Sequence, residues 1–206
     1  MVKIEYLGHS SFKINNEDYS VVFDPYENGS VNGWLFPKNL SANLVLASHD
    51  HRDHNARQYI SLIQSNKTLD YKECLLPHDH EKGAKRSLVY GRIFTLGGFS
   101  FAHLGDVGDT SPLTLFDSFK GADVLFIPIN GYYTISAKEA KTIVDYIKPK
   151  LVVPMHYQTK NPPAGYPDNW QIDIFKKLFP NYLKVSSSVV EVTPELFLHN
   201  ALIFNT

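Results

Sequence analysis

"LVLASHDHRDHN", residues 44–55, decides the fold. A short apolar run leads straight into three histidines and two aspartates within residues 49–54. So short a run, opening into polar residues, reads as a buried strand with a chemically loaded end. On extended backbone, side chains two apart share a face, so His49 and His51 can converge on one point. If the chain then turns, Asp53 and His54 face a second point nearby. Imidazole and carboxylate are borderline-to-hard donors suited to Zn, Fe, Mn, Ni or Co. The competing reading is a solvated loop whose histidines cap a helix beginning near Asn55. One histidine alone would favour that loop; the whole cluster at the mouth of an apolar strand favours metal.

Upstream, "VKIEYL" (2–7), "SSFKI" (10–14) and "YSVVFDP" (19–25) are short, rich in β-branched and aromatic residues, and separated by turn residues, as strands are. Residues 27–43 read as a loop by their Asn, Gly, Ser and Pro content. Downstream, "ARQYISLIQS" (56–65) has helical spacing, and "ECLLP" (73–77) is a short strand. "RIFTLGGFSFAHLGD" (92–106) predicts two strands hinged at Gly97 and Gly98. "SPLTLFDSFKG" (111–121) reads as a short helix with Pro112 in its first turn. "ADVLFIPI" (122–129) and "KLVVPMHY" (150–157) are buried strands. Between them "SAKEAKTIVDYIKP" (136–149) is a helix, with Ser136 and Glu139 as a capping box and Pro149 at its end. "NPPAGYPDN" (161–169) is a loop with the composition of a lid or a plain connector. "WQIDIFKKLF" (170–179) is a helix, and "SSVVEVT" and "LFLHNALIF" return to strands. Strands, then strand–helix–strand units, then strands again imply two β-layers with helices outside, in one domain.

The chain has 206 residues, 43% of them apolar, enough to bury a sizeable core. Its net charge is −1, which argues against a broad cationic face for nucleic acid. A single cysteine, Cys74, excludes an internal disulfide and a Cys-rich zinc module, and is more at home in the core than as a ligand. The opening residues lack a basic stretch followed by a long apolar run, and no apolar run reaches membrane-spanning length, so the reading is a soluble cytoplasmic protein.

"SHDHRDH" (48–54) resembles the HxHxDH motif of the metallo-β-lactamase superfamily, which binds two metals there. "LPHDHEKGAKRS" (76–87) resembles the third-histidine loop of its small UlaG-like branch, "FAHLGDVG" (101–108) the bridging-aspartate loop, and "VVPMHY" (152–157) the strand end with the last histidine. "YLGHSSFKI" and "VVFDPY" look like that branch's opening strands. The resemblance runs from about Ile4 to Tyr157. It implies an α+β fold, a four-layer αββα sandwich of two mixed β-sheets flanked by helices, as one domain over residues 1–206.

Carried onto these positions, the resemblance implies one metal held by His49, His51 and His78, a second held by Asp53, His54 and His156, and Asp106 bridging them. His80 competes with His78 as third histidine, and the spacing to "GAKRS" favours His78. The metals would be divalent, zinc first, with manganese, iron or nickel as alternatives. His9 would line the pocket or be an ordinary structural histidine. Asp24 would orient a ligand histidine through its other ring nitrogen or make an Asx turn with Pro25. His103 would pack beneath the site. Arg86, with Lys82 and Lys85, would hold an anionic group or form a solvated loop tip, and Tyr132 and Tyr133 would shape the pocket or an interface. "GHSSF" is not a GxSxG elbow, so a serine nucleophile is not expected.

The function implied is a binuclear hydrolase in which a metal-bridging hydroxide attacks a small, anionic ester, lactone or phosphoester. Asp106 would fix the metal separation, and Asp53 would anchor the second metal and orient the nucleophile. The alternatives are a phosphodiesterase or nuclease of the same fold, a di-iron oxidoreductase, and a metal-binding protein without turnover. A small-molecule substrate is expected, with no nucleic acid or membrane partner; a homo-oligomer stays open.

Overall fold

The computed structural model describes residues 1–31, 33–157 and 170–204, and the loop expected at 161–169 lies outside them. Among the described residues, fourteen strands and two α-helices follow in chain order. They are β1 Lys3–Gly8, β2 Ser11–Asn15, β3 Ser20–Phe23, β4 Leu40–Ala42, β5 Leu44–Leu46, β6 Ile60–Leu62, β7 Tyr71–Pro77, β8 Leu88–Leu96, β9 Phe99–His103, β10 Val124–Pro128, α1 Ala137–Ile147, β11 Leu151–Met155, α2 Trp170–Leu178, β12 Tyr182–Val185, β13 Val189–Glu191 and β14 Ala201–Phe204.

Two mixed sheets stack face to face, in the orders β13-β1-β2-β3-β5 and β12-β14-β11-β10-β9-β8-β7. Between them lie Ile4, Phe12 and Phe23 of the first sheet and Phe94, Phe101, Phe126, Val153 and Leu202 of the second. The Phe12 and Phe126 rings meet at 4.4 Å. Phe126→Ala is expected to destabilise the chain by about 3–5 kcal/mol, read as a lower urea midpoint at constant slope.

Strand β10 is buried on both faces, which explains its unbroken apolar run. Val124 and Phe126 point between the sheets, while Leu125 and Ile127 point outward onto Ala140, Ile143 and Val144 of α1 and Phe175 of α2. Helix α1 starts where the sequence predicts: the Ser136 side chain accepts from the Glu139 amide, and the Glu139 carboxylate accepts from the Ser136 amide. The β8–β9 hairpin turns at Gly97 and Gly98, both at positive φ, with Leu96 opposite Phe99. Residues 113–119, expected as a short helix after Pro112, form a 3-10 helix.

The outer face of the five-stranded sheet is covered more lightly. Leu7, Val22 and Val45 pack under Tyr26, Phe36, Ala42 and Ile60. This cover is the chain after β3, the parallel ribbon β4–β6 and a 3-10 turn at Arg57–Tyr59. The helical spacing of "ARQYISLIQS" therefore misleads. Ile60 is buried, but Leu62 and Ile63 are exposed, and pairing with β4 satisfies the backbone instead. No described helix is long and apolar enough to cross a membrane.

The pairings set one direction that matters for function. Strand β1 runs with β3 and β5, because β2 reverses between β1 and β3 and β3–β5 is parallel. Strand β7 runs with β9, β10 and β11, because β8 reverses between β7 and β9. The residues that follow the C-terminal ends of β1, β3, β5, β7, β9 and β11 are His9, Asp24, the 48–54 segment, His78, the 104–106 segment and His156.

Candidate metal centre

After β5 the chain is caught by β8. Ala47 O accepts from Arg92 Nη1 at 2.7 Å, and Ser48 O accepts from the Tyr90 amide at 2.8 Å. Arg92 is buried, pairs with Glu73 at 3.2 Å and packs over the Tyr90 ring at 4.9 Å. The segment then turns, with the His54 and Asn55 amides donating to His51 O. The turn sends His49 and His51 to one side and Asp53 and His54 to the other. His49, His51 and His78 bring one ring nitrogen each within 4.8 Å of one another.

Asp24, fully buried at φ 42, organises this turn from behind. Its carboxylate accepts from the Ser48 amide at 2.6 Å, from Ser48 Oγ at 2.7 Å and from His54 Nδ1 at 2.9 Å. Ser48 Oγ spends its one proton on Asp24, so it accepts from His49 Nδ1 at 2.9 Å. Both His49 and His54 thus carry hydrogen on Nδ1 and aim Nε2 inward. Asp24 thus grips the His54 ring through Nδ1 and, through Ser48, that of His49.

Asp106 follows Gly105, whose φ is 55 and where an added Cβ would lie 2.6 Å from Ser48 Cβ. One oxygen, Asp106 Oδ2, lies 3.0 Å from His156 Nε2, 3.1 Å from His54 Nε2 and 3.9 Å from His78 Nε2. A bare Nε2 on His54 facing a carboxylate oxygen at that range is repulsive unless a proton or a cation sits between them. Asp106 Oδ1, His54 Nε2, His78 Nδ1 and His9 Nε2 are buried without a hydrogen-bond partner. A divalent cation resolves both features, so the donor set fits one.

The loop after β7 separates the two candidate histidines. Asp79 accepts from the amides of Glu81 (2.8 Å), Gly83 (3.0 Å), Lys85 (3.0 Å) and Arg86 (2.7 Å), rolling residues 79–86 into a closed turn. His78, at the base, is buried beside His49 (ring centroids 4.8 Å). His80 points outward, its side chain 65% exposed and 3.6 Å from Glu139. The structure thus brings His78, and not His80, to the cluster. Gly108 underlies His78, donating to Pro77 O, and a Cβ there would lie 2.4 Å from the His78 carbonyl. Gly108→Ala must therefore displace His78. It is expected to weaken one cation position at least about 10-fold with little effect on the other, as seen by stepwise metal titration.

His156 and His9 complete the far side. Both have left-handed backbone (φ 53 and 56), the His156 amide donates to His9 O, and their rings lie 4.1 Å apart. His103 packs beneath: it stacks on Phe23 at 4.5 Å and bonds Ser10 O through Nε2 at 3.0 Å. Arg86 lies over the Tyr133 ring at 4.3 Å, joining the loop after β7 to that after β10. Asn130 Oδ1 accepts from the Tyr132 and Tyr133 amides, and Tyr132 is exposed. Ser48, Asp79, Arg92 and Gly108 went unmarked in the sequence, since each acts through a backbone group or a neighbouring side chain and no spacing rule flags it.

The electrostatics oppose one another. Burial pushes His9 down to about 4 and His49 down to about 3, assisted by His156 and His54 respectively. Burial also lowers His78 and His103. His54 goes the other way: burial would lower it, but Asp106 and Asp24 outweigh burial and raise it well above the ordinary value. With chelator present, the unfolded chain takes protons near pH 6.5 that four folded imidazoles refuse, whereas His54 alone favours the protonated fold. The thermal midpoint is therefore expected to fall as pH drops from about 7 toward about 5. A flat or rising midpoint would contradict this.

Comparison with known proteins follows the same outline. Residues 3–156 match the family model described as "Beta-lactamase superfamily domain". A UPF0173 metal-dependent hydrolase of Natranaerobius thermophilus is 27% identical over 187 residues, covering 77% of this chain and 84% of its own. One from Thermococcus kodakarensis is 28% identical over 205 residues, covering 83% and 91%. The crystal structure of a metallo-beta-lactamase superfamily protein from Thermotoga maritima superposes with a TM-score of 0.74 at 25% identity, covering 99% of this chain and 98% of that one.

Proposed function

This chain belongs to the beta-lactamase superfamily domain family, and from that premise we propose that it is a binuclear metal-dependent hydrolase of a small anionic ester, lactone or phosphoester. The observation that carries this reading is Asp106 Oδ2, set between His54, His156 and His78 where the two donor groups meet. His49, His51 and His78 would hold the first cation, Asp53, His54 and His156 the second, with Asp106 shared. The donors are imidazoles and carboxylates with no thiolate, which favours zinc, with manganese, iron or nickel next.

Two such cations supply Lewis acidity and make a water nucleophile available at neutral pH. The chain's own groups do the rest. Asp24 and Ser48 fix the tautomers of His54 and His49, so both rings present Nε2 without rearrangement. Asp53 is partly exposed at 32%, which suits it to orient an attacking water and take its proton. Arg86, held over the Tyr133 ring, and Lys82 and Lys85 on the same closed loop offer positive charge to a carboxylate or phosphate. A net charge of −1 favours a small substrate over nucleic acid. The resemblance of residues 76–87 to that branch's third-histidine loop supports the UlaG-like assignment.

Metal analysis followed by turnover on a lactone panel and on bis-p-nitrophenyl phosphate tests this. Two equivalents of divalent metal and chelator-sensitive hydrolysis are expected. Fast phosphodiester cleavage without lactone activity would narrow the substrate to phosphodiesters. Bound iron with a visible absorption band and no hydrolysis would overturn the reading in favour of redox chemistry.

A further inference from the structure

His9 has no role in the reaction as proposed, yet its position is costly to build. It follows β1, where the pairing with β2 shifts register between Tyr6 and Gly8. Gly8 precedes it at φ 108, and an added Cβ there would lie 2.6 Å from Tyr26 Oη. His9 itself holds a left-handed backbone, an uncommon state for a residue with a side chain. Its carbonyl accepts from the His156 amide and from Tyr6 Oη, each at 3.3 Å. All of this turns the ring out of the sheet and toward His54 and His156, at ring distances of 5.1 and 4.1 Å.

There the side chain is only 10% exposed, and among the described residues Nε2 has no hydrogen-bond partner. His9 Nε2 is 3.5 Å from Asp53 Oδ2, and His54 Nε2 is 3.6 Å from the same oxygen. A charge-assisted hydrogen bond would close to about 2.7–2.9 Å. Donors placed tetrahedrally at zinc–ligand bond lengths stand about 3.4 Å from one another. His9, Asp53, His54 and His156 each bring one donor atom within 4.8 Å of all the others. The spacing is that of groups arranged around a common centre, not of a bonded pair.

We propose that His9 is a fourth protein ligand of the second cation, beside Asp53, His54 and His156. This deepens the binuclear reading and rests on it. With Asp106 also at hand, protein donors close the second position. The first, served by His49, His51, His78 and the shared Asp106, has one donor fewer and is the more open of the two. Substrate is therefore taken on the His51 side, where the cluster meets solvent.

Stepwise cobalt(II) titration of the chelator-stripped protein tests this through visible absorption, with no turnover needed. His9→Asn suits the left-handed backbone, and His9→Ala removes the ring; thermal melts of both check folding. His51→Ala marks which absorption change belongs to the first position. The wild type is expected to take two equivalents. Both His9 variants are expected to keep the first and lose at least about 100-fold in affinity for the second, beyond the 10–100-fold typical of groups that only orient a ligand. They should also show an altered second-position band. Wild-type affinity and band shape in both variants would overturn the proposal and leave the binuclear reading standing. A smaller loss with an unchanged band would overturn it too. A wild type that takes up no cobalt would sink the binuclear reading, and this inference with it.

Discussion

Asp106→Ala is expected to strip both cation positions at once and to destabilise the chelator-treated chain by about 3–5 kcal/mol. The first effect follows from placement: a single carboxylate oxygen reaches imidazoles of both donor groups. The second follows from burial. Asp106 is almost fully enclosed; burial pushes its carboxyl up, but the imidazoles of His156 and His54 outweigh burial and hold it well below the usual range. Removing it leaves two buried imidazoles without their counter-charge. Hydrolysis should fall at least about 10³-fold, equivalent to about 4 kcal/mol of barrier. Asp106→Asn preserves volume and should retain more stability but little metal. Elemental analysis and urea unfolding decide the matter: a variant that keeps two equivalents would show that Asp106 is not shared.

Asp24→Ala should act on both positions from behind, lowering affinity about 10–100-fold at each and costing about 3–5 kcal/mol in stability. Asp24 grips His54 directly and His49 through Ser48, so its loss frees two rings and leaves the Ser48 amide unpaired. Burial would raise its carboxyl, but the His54 charge and hydrogen bond prevail and bring it down to about 2. Its contribution to stability is thus complete above about pH 4 and is lost as pH falls through about 2. Ser48→Ala separates the two arms: it should weaken only the His49 side. Equal weakening at both positions in Ser48→Ala would mean the relay is not divided as drawn.

The sequence made the site easy to see where chemistry repeats along the chain, and hard where three-dimensional context decides. Residues 44–55 carried a strand end, three imidazoles and a turn within one window, and the capping box at Ser136 and Glu139 placed α1. Spacing to "GAKRS" favours His78 over His80 but does not show why, because the physical cause is Asp79 gathering four amides from residues ahead of it. The segment 56–65 showed helical periodicity, yet a stretch that short gains little from helix formation alone. Its partner β4 lies some twenty residues upstream, which no local pattern reveals. Arg92 looked like any strand residue, although its bond to Ala47 O secures the motif.

The donor side chains are drawn from His9 through His156 and from the loops of both sheets. As synthesis proceeds from the N-terminus, the emerging chain first exposes "HDHRDH", a weak and unselective chelator on its own. On the proposed assignment, neither set of donors would be complete until Asp106 has emerged, and the second would wait for residue 156 of 206. Tight capture at the second position would thereby be deferred until three-quarters of the polypeptide has been made.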